Sequence, residues 1–188
     1  MRKNETAEYN SVVDRIEGKL LEHNTHFLNG EIDEENVGAV IKWITYENFD
    51  RRQRTITLFI NSAGGDLYQA FALIDVMKSS QLPIRTIGIG QVMSAAFLIF
   101  VSGAKGERVI ARNTGIMCHQ YSDAPEGKHH DLKAHMVEGE MCNRRMLDIL
   151  REATDLPVTK IKSKLLRETD VYLTAEEAID LGVADSIL

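Results

Sequence analysis

Two hydrophobic periods take turns along the chain. Thr55 to Ile60 is β-branched and aromatic and reads as a strand, and Asn61-Ser62-Ala63-Gly64-Gly65 reads as a sharp turn. Leu67, Ala70, Phe71, Ile74 and Met77 then recur at helical spacing. The same order follows at once: Ile84 to Ile89 predicts a strand, Gly90-Gln91 a turn, and Ser94 to Gly103 a short helix closed by its glycine. Strand, helix, strand, helix implies parallel pairing with helices on the faces, an α/β fold. Upstream, an apolar run around Phe27 and Leu28 predicts a strand, and the spacing of Ile32, Val37, Val40, Ile41 and Ile44 predicts a helix from Ile32 to Trp43. Downstream, Val109-Ile110 and Gly115 to His119 read as strands and Ser122 to Lys128 as a polar loop. His130 to Ala153 carries Leu132, Met136, Met146, Ile149 and Leu150, a helix long enough for so small a domain that it should project and pack on another subunit. Thr174 and Glu177 form a capping box that opens the last helix, and Gly182 closes it. Residues 1–19 are polar and weakly patterned, an expected mobile N-terminal arm ahead of one domain over 20–188.

Composition fits that division. The 188 residues are 44% hydrophobic and 27% charged, with no repeat or low-complexity linker, so a single core is expected. Cys118 and Cys142 are too few for a disulfide framework and lack the spacing of a zinc site, which fits a reducing compartment. A formal charge of -6 makes nucleic acid and anionic membrane poor partners. The greasiest stretch, Val92 to Val101, is interrupted by Ser94 and is about half of the roughly 20 residues a spanning helix needs. Met1 to Gly18 has no apolar run of the kind a signal peptide requires, so the expected location is cytoplasmic.

Several candidate chemistries fall away on spacing. Gly88-Ile89-Gly90 follows a strand, but the third position of the dinucleotide fingerprint is Met93 and no Walker lysine follows a glycine loop, so no cofactor is expected on this chain. His129, His130, His135 and Glu126 lack the i, i+4 spacing that aims two metal ligands from one helical face. Cys118 adjoins His119, but neighbouring strand residues point to opposite faces. Ser94 remains. At a strand-turn-helix junction it is either the N-cap of the next helix or a nucleophile held on a tight corner. Gly64-Gly65, at the end of the preceding strand, can bring a second backbone N–H beside the same point, as an oxyanion requires.

The ordered motifs resemble the family of the proteolytic subunit of the Clp protease, ClpP. Asn61-Ser62-Ala63-Gly64-Gly65 is similar to its NSPGG, and Gly90-Gln91-Val92-Met93-Ser94 to its nucleophile segment GQAAS. Ser102 to Gly106 is similar to AGAKG, Met117-Cys118-His119-Gln120 to MIHQ, Asp170 to Ala178 to DRFLSAPEA, and Gly182 to Ile187 to GLVDSI. The resemblance implies a ClpP/crotonase-like fold of repeated β-β-α units with a projecting handle helix over about 130–153. It implies a serine endopeptidase with Ser94 as nucleophile, His119 as general base and Asp170 as the group that orients the histidine, with Glu168 a weaker substitute. The amides of Gly65 and Ala95 would form the oxyanion hole. It further implies two stacked heptameric rings that receive unfolded polypeptide from an AAA+ unfoldase such as ClpX, ClpA or ClpC, the ATP being used by that partner. A noncatalytic ClpR-like subunit and a crotonase-type acyl-CoA enzyme are the alternatives. The sequence departs from the family at Ala95-Ala96 in place of Met-Gly, at Ala63 in place of proline, in the acidic segment Tyr121 to Gly127, and at Thr57, where an aromatic docking position is usual while Phe59 is kept.

Overall fold

A computed structural model describes residues 11–50 and 55–188. Among them run helix α1 (Val12–Glu22), strand β1 (Thr25–Asn29), α2 (Glu34–Asp50), β2 (Ile56–Ser62), α3 (Leu67–Ser79), β3 (Ile84–Met93) and α4 (Ala95–Val101). Strands β4 (Arg108–Ile110) and β5 (Gly115–Cys118) follow, then α5 (His129–Thr154), α6 (Val158–Lys164), β6 (Val171–Leu173), α7 (Ala175–Asp180) and β7 (Ser186–Ile187). The strands make one sheet in the order β1-β2-β3-β4-β7, with β5 branching from β3 and β6 pairing with β5. All pairings are parallel except β5 with β6. β2 alternates strictly between buried and half-buried positions, and Ile56, Leu58 and Ile60 give the sheet its buried face. All seven residues of α4 are buried, because this helix is covered on every side, as its unbroken apolar composition requires.

The central strand differs from its expected form. A turn is expected at Gly90-Gln91, yet β3 runs on to Met93, and its partner changes at that point. Thr86 to Gly88 pair with β4, whereas Gln91 to Met93 pair with β5. Against β2 the register slips between Ile60 and Ser62, which face Gly88 and Val92. Gly90 sits in this irregularity with φ of 60°, and a Cβ there would meet Asn61 Oδ1 at 2.5 Å. Asn61 Oδ1 in turn accepts the Gln91 N–H at 3.2 Å. The strand is thus bent, not ended, and the bend lets one strand serve two partners.

Other differences are smaller. Ile32 precedes α2 and forms a parallel bridge with Gly65; the helix starts at Glu34, where Asp33 Oδ1 accepts the Asn36 N–H at 2.8 Å. Within the expected N-terminal arm, residues 12–19 are helical. Ser11 caps α1 by accepting the Asp14 N–H, and no residue of that helix is buried. The part of that expectation covering residues 1–10 lies outside the described residues. Helix α6, which begins behind Pro157, and the short strands β6 and β7 carry no periodic signal of their own. No helix among the described residues is long and apolar enough to cross a membrane.

Candidate active site

The bent end of β3 delivers Ser94 to the sheet edge. The Ser94 N–H donates to Met117 C=O at 2.9 Å, which ties the corner to β5, and the chain turns straight into α4. The corner holds Ser94 at φ 53° and ψ -120°, a conformation that residues with a side chain rarely adopt. The Ser94 hydroxyl makes no capping hydrogen bond to the helix it precedes. It contacts His119 instead, with Nε2 to Oγ at 2.7 Å. The hydroxyl therefore does not cap α4, because a capping oxygen would face the amides of that helix.

His119 follows β5 directly, and the segment carrying it is fixed on the side away from Ser94. The Gln120 N–H donates to Arg167 C=O at 3.3 Å, Gln120 Nε2 donates to Leu166 C=O at 3.0 Å, and the Tyr121 N–H donates to Asn143 Oδ1 at 2.8 Å. Cys118 is buried on the opposite face, where desolvation pushes its thiol up to about 12; it takes no part in the site.

The glycine turn after β2 lies against this corner. Buried Ser62 Oγ accepts the Gly64 N–H at 3.1 Å. A Cβ on Gly64 would lie 2.8 Å from Ser94 Cβ and 3.3 Å from the Ala95 amide nitrogen, so only glycine fits. Next to it, the Ile32 N–H donates to Gly64 C=O and the Asp66 N–H to Ile32 C=O, a pattern that directs the Gly65 N–H away from the Ile32 segment. Gly65, Ser94, Ala95 and His119 line one cleft of about 360 Å³, together with Tyr68, Tyr121 and Met146.

Asp170 stands apart. Ile116, Met117 and Cys118 pair with Leu173, Tyr172 and Val171, and one step further the antiparallel ladder sets His119 opposite Asp170. Asp170 is exposed there, and among the described residues its carboxylate makes no hydrogen bond to His119. Glu168 is exposed in the connection before β6 and likewise makes none. The structure therefore joins Ser94 to His119, sets Gly65 and Ala95 beside them, and leaves the Asp170 carboxylate across from His119 with no hydrogen bond between them.

Gly88, the first glycine of the discarded nucleotide motif, is a packing residue: a Cβ there would meet Ile110 Cδ1 at 2.6 Å and Val92 Cγ2 at 2.8 Å. The histidines of α5 face acidic neighbours at its surface, His130 with Asp131 and His135 with Glu138.

The family model described as Clp protease matches residues 7–188. The chain belongs to the Clp protease family. This accounts for the mixed α/β sheet, and it makes the protein a member of a family of peptidases. Within the Clp protease frame the sequence motifs single out Ser94, His119, Asp170, Gly65 and Ala95 as site residues, but give no role to Asn61, Tyr68 or Tyr121. Asn61 opens the glycine-turn motif, yet its use as a prop beneath Gly90 depends on the strand register. The two tyrosines reach the cleft through contacts between distant elements, and no local pattern marks them.

Proposed function

We propose that the chain is a serine endopeptidase of ClpP type acting through an acyl-enzyme. The observation that carries this reading is the 2.7 Å contact between His119 Nε2 and a Ser94 hydroxyl that caps nothing. Ser94 Oγ attacks the peptide carbonyl carbon while its proton passes to His119 Nε2, and the carbonyl π pair becomes an oxyanion. The Gly65 and Ala95 N–H groups donate to that oxyanion. Its collapse breaks the C–N bond, and the leaving amine takes the proton from His119. Water repeats the sequence on the ester and frees Ser94. Asp170 is the acceptor for the imidazole Nδ1–H; to engage it, the carboxylate must move toward the ring, and its exposed position leaves it free to do so. ATP is consumed by a partner and not by this chain.

Family membership supports the wider setting. The subunits form two stacked heptameric rings in the cytoplasm, and an AAA+ unfoldase of the ClpX, ClpA or ClpC kind feeds unfolded polypeptide to the enclosed sites. The 26-residue α5, with Met136, Val137 and Met141 exposed, is the element suited to joining the rings.

The test is intact mass after incubation with a fluorophosphonate. One adduct is expected on the wild type and none on Ser94→Ala, with labelling slowed by several orders of magnitude in His119→Ala. A folded, ring-sized wild type that takes no adduct would overturn the reading.

A further inference from the structure

One stretch of α5 holds both aromatic walls of the Ser94–His119 cleft. Tyr68, at the start of α3, donates its hydroxyl to Glu138 Oε1 at 2.7 Å, and Cys142 Sγ lies 3.9 Å from the Tyr68 hydroxyl oxygen. Tyr121, two residues after His119, donates its backbone N–H to Asn143 Oδ1 at 2.8 Å, and its ring lies on Gly139. Glu138 and Cys142 are i, i+4 neighbours on one helical face, and Gly139 and Asn143 are the same pair one residue along. Two tyrosines from different elements are thus spaced by adjacent rows of a single helix. There is little slack: a Cβ on Gly139 would come within 3.3 Å of Tyr121 Cδ1 and 3.6 Å of Cε1. The hydrogen bond to Glu138, the largest cause, together with desolvation pushes the Tyr68 phenol up to about 12, so it remains a donor across the working pH range.

We propose that Glu138, Gly139 and Asn143 of α5 are positioning residues that set the separation of Tyr68 and Tyr121, and that this separation selects the size of the substrate side chain beside the scissile bond. The inference rests on the peptidase reading of the same site. A cleft lined by Tyr68, Tyr121 and buried Met146 favours flat or unbranched apolar side chains, which it discriminates by fit. Gly139→Ala drives the Tyr121 ring toward the cleft and narrows it. Asn143→Ala frees the segment after His119, and Asn143→Asp keeps an acceptor for the Tyr121 N–H.

The experiment compares wild type, Gly139→Ala, Asn143→Ala, Asn143→Asp and Tyr68→Phe on peptide substrates that differ only in the residue before the cleaved bond, either alanine or phenylalanine. Fluorophosphonate labelling of Ser94 is measured on the same samples. Gly139→Ala is expected to lower kcat/KM for the phenylalanine substrate by about tenfold, chiefly through KM, with the alanine substrate and the labelling rate nearly unchanged. Asn143→Ala should blur the preference and Asn143→Asp should restore it. Folded variants that label normally and keep the wild-type phenylalanine-to-alanine ratio would overturn the positioning role alone. A wild type that neither labels nor cleaves would overturn the peptidase reading and this inference with it.

Discussion

Ser94 joins a strained backbone corner to the hydroxyl proposed as the nucleophile. Its φ of 53° with ψ of -120° is imposed by three restraints: the Met117 carbonyl that takes its N–H, the Gly64 backbone pressed against its Cβ, and the start of α4. Backbone strain of this kind costs about 1–3 kcal/mol in a residue with a Cβ and much less in glycine. Ser94→Gly and Ser94→Ala both delete the hydroxyl, so their difference reports the backbone alone. Ser94→Gly should be the more stable by about 1 kcal/mol after allowing for the looser unfolded chain. Paired thermal or denaturant melts measure this, and a glycine variant no more stable than the alanine one would show that the corner is not strained. Ser94 was visible in the sequence as one of two possibilities, cap or nucleophile. The direction of its hydroxyl rules out the cap and supports the proposed nucleophile, and that direction depends on where β5 places His119.

Among the elements, β4 and β7 are held by an ion pair shielded from solvent. Arg108, 4% exposed in its side chain, donates from Nε to Asp185 Oδ2 at 2.8 Å and from Nη2 to Oδ1 at 2.6 Å, while Nη1 reaches Ala153 C=O near the end of α5. The Arg108 and Gly106 N–H groups also donate to Asp185 Oδ2. Burial by itself would raise the Asp185 carboxyl, but the hydrogen bonds and charge of Arg108, with the Gly106 amide, outweigh it and hold the group below its ordinary range. A folded-state pKa depressed in this way contributes stability above the unfolded carboxyl's pKa, and that stability is lost as pH falls through the folded value. Asp185→Asn leaves the buried guanidinium without its counter-charge and should cost about 3–5 kcal/mol. Its Tm should also fall less steeply in acid than that of the wild type. Melts at neutral and acid pH test both, and parallel pH profiles would exclude Asp185 as the source. The elements themselves were legible wherever period and caps agreed, as in β2, α3 and the Thr174 capping box. They were not legible where pairing partners decided, as in the bend of β3 and the three-residue β6.

For the whole molecule, α5 is the outlier. Its 26 residues span about 39 Å at the helical rise, and Met136 is 70% exposed on a helix whose buried residues all lie from Cys142 onward. An apolar face this open is unfavourable for a free subunit and is expected to be covered in the proposed two-ring assembly. Met136→Lys should therefore lower the native mass from two rings to one, read by light scattering or native mass spectrometry; an unchanged mass would count against α5 as the joining element. Helix α1, with Val12, Val13 and Ile16 exposed, presents a second open face near the opposite end of the sequence.

By itself the sequence determined the α/β alternation, the sharp glycine turn, the long helix and the order of the motifs that carry the proposed site residues. Each of these is written in local spacing, in a cap, or in a short motif read along the chain. Only the tertiary structure decided that Ser94 faces His119 and does not cap α4, that the Asp170 carboxylate makes no hydrogen bond to His119, and that Tyr68 and Tyr121 share a footing on α5. Those outcomes depend on strand register and on contacts between residues distant in the chain, where a slip of one residue turns a side chain to the other face of the sheet.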